Sequence, residues 1–168
     1  ILPVIPKEEN REAVINAAEN LAKSLSSSSY GGLPIRVEID KRDMQGGAKN
    51  WEWIKKGAPI RVEIGPRDIE KGSVAVARRD RSPKEKEFLP TEEFLNGAAN
   101  VLEDIQSSLL TRATRFKEEN IKRIESMEEF IEFFTPSNPE KPEIHGGFAL
   151  CHWAGSNEEE EKIAKEYK

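Results

Sequence analysis

The sequence predicts an α/β chain, and three observations carry that prediction. A twelve-residue block, GLPIRVEIDKRD at 32–43, returns as GAPIRVEIGPRD at 57–68 with nine positions identical, and both copies alternate apolar and polar residues. Two long stretches, one from Lys7 and one from Thr91, space their apolar residues three and four apart. A further apolar run, SVAVARRD at 73–80, supplies another strand just after Gly72.

Taken in order, Leu2 to Ile5 reads as a strand stopped by Pro6, a residue suited to the first turn of a helix. Val14, Ala18, Leu21 and Leu25 then fall on one helical stripe. The run Ser26–Ser29 ends that helix as a flexible loop. In the first copy Ile35, Val37 and Ile39 oppose Arg36 and Glu38; in the second, Ile60, Val62 and Ile64 oppose Arg61 and Glu63. Each pattern has the period of a half-buried strand. GGAKNWEWIKKG between them is long enough for a short helix, a crossover that suits parallel strands. Each copy ends on an Arg-Asp turn, so the repeated unit is strand plus turn, and convergence on one strand geometry is the plainer account of it.

Residues 81–90 read as a polar loop. Beyond them Thr91 can cap a helix carrying Leu95, Ala98, Leu102, Ile105, Leu109, Ala113 and Phe116, on the order of 35–40 Å long at 1.5 Å per residue, which predicts a bridge to a second unit. The expected division is therefore 1–90 and 91–168. In the second part IKRIES reads as a strand, MEEFIEFF as a helix, PSNPEKP as a loop and GGFALCHW as a strand. SNEEEEKIAKEYK is a helix with acids in its first turn, its EEEE run a solvated face.

At 168 residues the chain has room for one domain or for one plus an appendage. It opens on Ile1 rather than Met, which reads as a piece of something larger. No stretch resembles a membrane span or a signal peptide, and one cysteine, Cys151, fits a reducing compartment, so a cytoplasmic location is expected. The net charge is −5, yet residues 32–86 hold fourteen Lys and Arg against nine Asp and Glu. That local +5 leaves −10 for the rest, and a polyanion responds to the local patch.

Catalytic candidates are few. His145 and His152 lie far from any nucleophile, Cys151 reads as a buried thiol, and the Gly pairs lack the Lys-Ser/Thr of a phosphate loop. An RNA-binding set is more coherent. Arg61, Arg67, Arg78 and Arg79 sit at or beyond strand ends, Lys84 and Lys86 in the next loop, and Lys56 beside the preceding helix. A guanidinium fork matches O6 and N7 of guanine, and Glu63 or Asp68 can accept from the donors on its pairing edge. Trp51 and Trp53 lie nearby for stacking, although Trp53 suits a core, and Arg-Asp pairs also bond each other or the backbone. A protein-interaction module docking through the acidic tail is the rival class.

The residues WIKKGAPIRVEIGPRDIEKGSVAVARRD, with Gly47, Lys49 and Trp53 before them, resemble the anticodon-binding domain of prolyl-tRNA synthetases of the type shared by archaea, eukaryotes and some bacteria. VLEDIQSSLLTRATRFKEEN and GGFALCHWAGS are similar to the extra C-terminal domain of that family. The resemblance implies a mixed β-sheet flanked by helices, the class II synthetase anticodon-binding fold, followed by a small α+β domain. It implies that the chain binds the anticodon loop of proline tRNA and reads two guanosines. Arg61, Arg67 and Lys84 or Lys86 would lie at the base-reading surface. The acidic residue that often follows the helix Trp is Ile54 here, with Glu52 as a possible substitute; Arg36, Arg42 and Asp43 stay open. Zinc-binding members carry cysteines where this chain has Ala154 and a Glu within 158–160, so no metal is expected. The whole enzyme, a homodimer in the family, joins proline to its tRNA with ATP and magnesium. A chain lacking the catalytic domain needs no cofactor and activates nothing alone.

Overall fold

The structure, a computed structural model, describes residues 1–138, 140 and 147–166. Its elements run β1 (Leu2–Pro3), α1 (Arg11–Ser26), β2 (Ser29–Tyr30), β3 (Leu33–Pro34), α2 (Gly46–Lys55), β4 (Ile60–Ile64), α3 (Pro66–Lys71), β5 (Ser73–Arg78), β6 (Glu87–Pro90), α4 (Thr91–Asn120), β7 (Ile121–Arg123), α5 (Met127–Phe134), β8 (Phe148–Leu150) and α6 (Asn157–Glu166). Contacts divide the chain into two units, Ile1–Leu110 and Thr111–Lys168.

The first unit is built on a four-stranded mixed sheet in the order β1-β4-β5-β6, with β1 parallel to β4 and the other neighbours antiparallel. Its core side collects what the sequence periodicity selects. Ala18, Leu21 and Leu25 of α1 pack with Val62 and Ile64 of β4, Val74 and Val76 of β5, and Phe94 and Ala98 of α4. Burying each large apolar side chain there contributes about 1.5–3 kcal/mol. Mixed sheet and flanking helices thus match the expected fold class.

The first copy of the repeat departs from expectation. It does not form a strand comparable to β4. Leu33–Pro34 closes a hairpin with Ser29–Tyr30, and residues 35–40 continue as extended chain outside any ladder. The serine run therefore leads into a hairpin, which turns on Gly31 and Gly32, both at positive φ (59° and 78°), as a two-residue turn between strands requires. Ile35, Val37 and Ile39 still lean on the core. The Ile1 amine donates to the Glu38 carbonyl (2.6 Å) and the Asp40 N–H to the Ile1 carbonyl (2.9 Å). The two copies are thus not successive strands, since β1 lies between the first copy and β4.

Three further corrections concern local structure. The Arg-Asp turn of the second copy is the short helix α3, started by Pro66 and closed by Gly72 at φ 61°. Gly72→Ala is expected to cost about 1 kcal/mol, because a Cβ is disfavoured in that left-handed cap; a urea melt checks it. Residues 87–90, taken for loop, are the edge strand β6. Pro90 ends it, a position that asks nothing of a missing N–H. On α4, Phe94 joins the buried set, while Ala113 and Phe116 are exposed. At thirty residues α4 is about 45 Å long, and it contributes Thr91–Leu110 to the first unit and its remainder to the second.

The second unit pairs β7 with β8 in parallel and adds α5 and α6. Ser126 caps α5 by accepting from the Glu129 N–H (3.2 Å). Before α6, the Ser156 N–H donates to the Glu159 carboxylate at 2.7 Å. The acidic run 158–161 is exposed, as a solvated face should be. Cys151 is exposed rather than buried, beside His152. His145 and part of the PSNPEKP loop lie outside the described residues. No helix among the described residues is long and apolar enough to cross a membrane.

Candidate nucleic-acid interface

The alternation that buries Val62 and Ile64 sends Arg61 and Glu63 to the opposite face of β4. Register places Ala77 beside Arg61 and Ala75 beside Glu63, and Phe88 beside Ala75 in turn. Two small side chains on the middle strand are thus flanked by a charged strand and an aromatic edge strand.

Arg61 does not stand on an open rim. It is 4% exposed, and its Nε donates to Asn50 Oδ1 of α2 at 2.6 Å. One Nη is buried with no hydrogen-bond partner among the described residues. Burial lowers its pKa from the ordinary arginine value, against the opposing field of Glu63. A buried guanidinium with an idle donor is an energetic cost that a folded chain rarely carries without use. Glu63 is occupied by Lys86, whose Nζ lies 2.7 and 2.6 Å from its two oxygens.

The remaining candidates divide into free and engaged groups. Arg67 on the first turn of α3 and Lys84 are exposed and have no partner among the described residues. Asp68 accepts from the Gly65 N–H at 2.9 Å and so secures the start of α3. Arg78 forms two bonds to Asp80 (3.0 and 2.9 Å) and lies 3.8 Å from Asp104; the Asp80 bonds raise its pKa and lower that of Asp80. Arg79 donates to the Gly57 carbonyl at 3.1 Å while staying exposed. Lys56 sits 4.4 Å from the Trp53 ring centroid, a cation–π contact. Glu52 pairs with Arg42 at 2.8 Å.

Sequence reasoning missed Asn50, Phe88 and Asp40. Asn50 lies three residues before Trp53 on α2, a spacing that puts both toward one side of the helix. Asp40 receives Arg42 through Nε (2.9 Å) and Nη2 (2.7 Å) and Trp53 Nε1 (2.9 Å), while its carbonyl accepts Lys49 Nζ (3.2 Å). The first copy's arginine thus serves as a clamp that seats α2. Among the described residues no group of three or more His, Cys, Asp or Glu could hold a metal ion.

Comparison with known proteins agrees with this architecture. The family model described as "Anticodon binding domain" matches residues 2–100. Similar proteins include the proline–tRNA ligase of Protochlamydia amoebophila, 52% identical over 98% of this chain and 32% of its own length. Those of Akkermansia muciniphila (46%; 98% and 31%) and Anaeromyxobacter dehalogenans (proline–tRNA ligase 2; 45%; 99% and 33%) are similar over comparable spans. The chain spans about a third of the length of these relatives. A match running through the sheet, α1 to α3 and the start of α4 covers more than half of the residues, and the chain belongs to the anticodon-binding-domain family.

Proposed function

We propose that this chain is the anticodon-binding part of a proline–tRNA ligase, and that the Arg61–Glu63 face reads guanosines in the anticodon loop of proline tRNA. The observation that carries the reading is the idle, buried Nη of Arg61, held in place by Asn50 beside the Glu63 carboxylate. Guanine offers two acceptors to a guanidinium and two donors to a carboxylate, so this pair complements it. Base entry would take Lys86 from Glu63 to a phosphate, a low-cost exchange for an ion pair near the surface. Arg67, Arg79 and Lys84 would bind the backbone and set orientation. Asp68 and Arg78 support that surface through the start of α3 and the end of β5, and Lys56 and Glu52 border it from α2.

The same proposal assigns residues 1–90 to the anticodon and 91–168 to the C-terminal domain of the type shared by archaea, eukaryotes and some bacteria. Prolyl transfer with ATP and magnesium, the homodimer and the cytoplasmic setting belong to the whole ligase; this chain itself uses no cofactor.

Binding of a proline anticodon stem-loop tests the reading. The native loop should bind more tightly than one with both guanosines replaced, by roughly 1–3 kcal/mol per base. Log affinity should fall linearly with log salt, by about 0.7–0.9 per neutralised phosphate. Equal affinity for both loops would remove the base-reading role.

A further inference from the structure

The reading face has an aromatic border. Phe88 is 70% exposed although it lies inside a strand. Its neighbours Glu87 and Leu89 point the other way, and Leu89 packs on the core. Register sets Phe88 in one row with Ala75 and Glu63, across β6, β5 and β4. Adjacent strands lie about 4.8 Å apart, so the ring stands roughly 10 Å from the backbone of Glu63, with Ala75, itself 4% exposed, in the row between them and the Lys86 ammonium on the Glu63 carboxylate. That interval is close to the width of one nucleobase.

Phe88 shares its side of β6 with Lys86, two residues earlier, whose ammonium already reaches Glu63. Arg81 pairs with Glu85 and Glu87, which leaves Lys84, exposed and unpaired among the described residues, as the free cation four positions before the ring. Edge strands are commonly blunted by charge or proline, and Pro90 already serves that purpose here. A bare phenyl face two positions before it is thus not explained by protection of the edge. Flat π faces beside cations are what unstacked bases use, because any base can stack and the phosphates on either side find countercharge.

We propose that Phe88 is a stacking platform for one unpaired nucleobase of the RNA loop, which takes the place of the Lys86 ammonium and turns its edge toward Glu63 and Arg61. This rests on the anticodon reading above and adds the group that orients the base. Phe88 is a binding residue here; it does no chemistry.

The test measures binding of the 168-residue chain to the proline anticodon stem-loop and to versions carrying one abasic nucleotide at each loop position in turn. Phe88→Ala should weaken the native loop roughly tenfold, Phe88→Trp should retain affinity, and Phe88→Leu, which keeps apolar bulk without a π face, should behave like alanine. At one loop position the abasic change should abolish the Phe88→Ala effect. Because the ring is exposed, circular dichroism melts of the variants should match the parent. An unchanged affinity in Phe88→Ala, an equal loss at every abasic position, or a base-dependent loss in Trp51→Ala instead would overturn the platform. If the parent chain still prefers guanosine, only the platform falls. If the parent does not discriminate guanosine at all, the anticodon reading falls and takes the platform with it.

Discussion

Replacing Arg61 with methionine should weaken guanosine-specific binding by about 1–3 kcal/mol while leaving the fold as stable as before or more so. The two signs differ because one side chain serves two demands. Folding gains little from a guanidinium that is almost fully buried, bonded to one neutral amide and left with an idle donor. Substituting a buried charge by an apolar group of similar length is often neutral or favourable. Asn50 is only half-buried, so water can replace the donor it loses. A stabilisation of about 1 kcal/mol would raise the melting temperature by roughly 2–8 °C. Binding moves the other way, since guanine would lose its partner for O6 and N7. Lys84→Ala is the contrast: an exposed, unpaired cation should weaken every loop alike and reduce the salt slope by about one unit. Calorimetry and stem-loop titration on both variants check these outcomes. A destabilised Arg61→Met that loses affinity equally for all loops would make Arg61 a structural residue.

Residues that build the core were legible because their period is their own. Val14, Ala18, Leu21 and Leu25 repeat at helical spacing, and all four are buried on α1. Val62, Ile64, Val74 and Val76 alternate, and all lie in the sheet. The repeat shows where such reasoning stops. PIRVEI occurs twice, yet only the second copy is a strand with partners on both sides. Beside the first copy lies only the short β1, so neighbours, not propensity, decide the ladder. Immediate successors matter too. Gly65-Pro66 permits α3 to start, whereas Asp40 is caught by Arg42 and Trp53. At the site, the list of charges was readable but its pairing was not. Arg78 is engaged by Asp80, Asp68 by a backbone N–H and Glu52 by the first copy's Arg42, all outcomes of tertiary position. Phe88 escaped notice because four residues with a proline do not announce a strand.

Asp40→Ala should lower stability by about 2–3 kcal/mol near pH 7, the range for hydrogen bonds to a charged group. Its carboxylate is 1% exposed and accepts the fork of Arg42, the Arg42 N–H and the indole N–H of Trp53. The bonds from Arg42 outweigh burial and, with that from Trp53, hold the carboxyl well below the usual carboxylate range. A depressed folded-state pKa contributes stability that is present above the unfolded value of about 3.9 and is lost as pH falls toward the folded one. The gap between parent and Asp40→Ala should therefore be constant from pH 7 to about 5 and shrink below pH 4, as urea melts at each pH would show. A gap independent of pH would assign the loss to packing around Trp53 instead. Since α2 carries both Trp53 and Asn50, loosening this clamp also frees the group that holds Arg61. The variant should accordingly discriminate guanosine less well although Asp40 touches no RNA, which would give the first copy of the repeat its function: to seat the helix that aims the second.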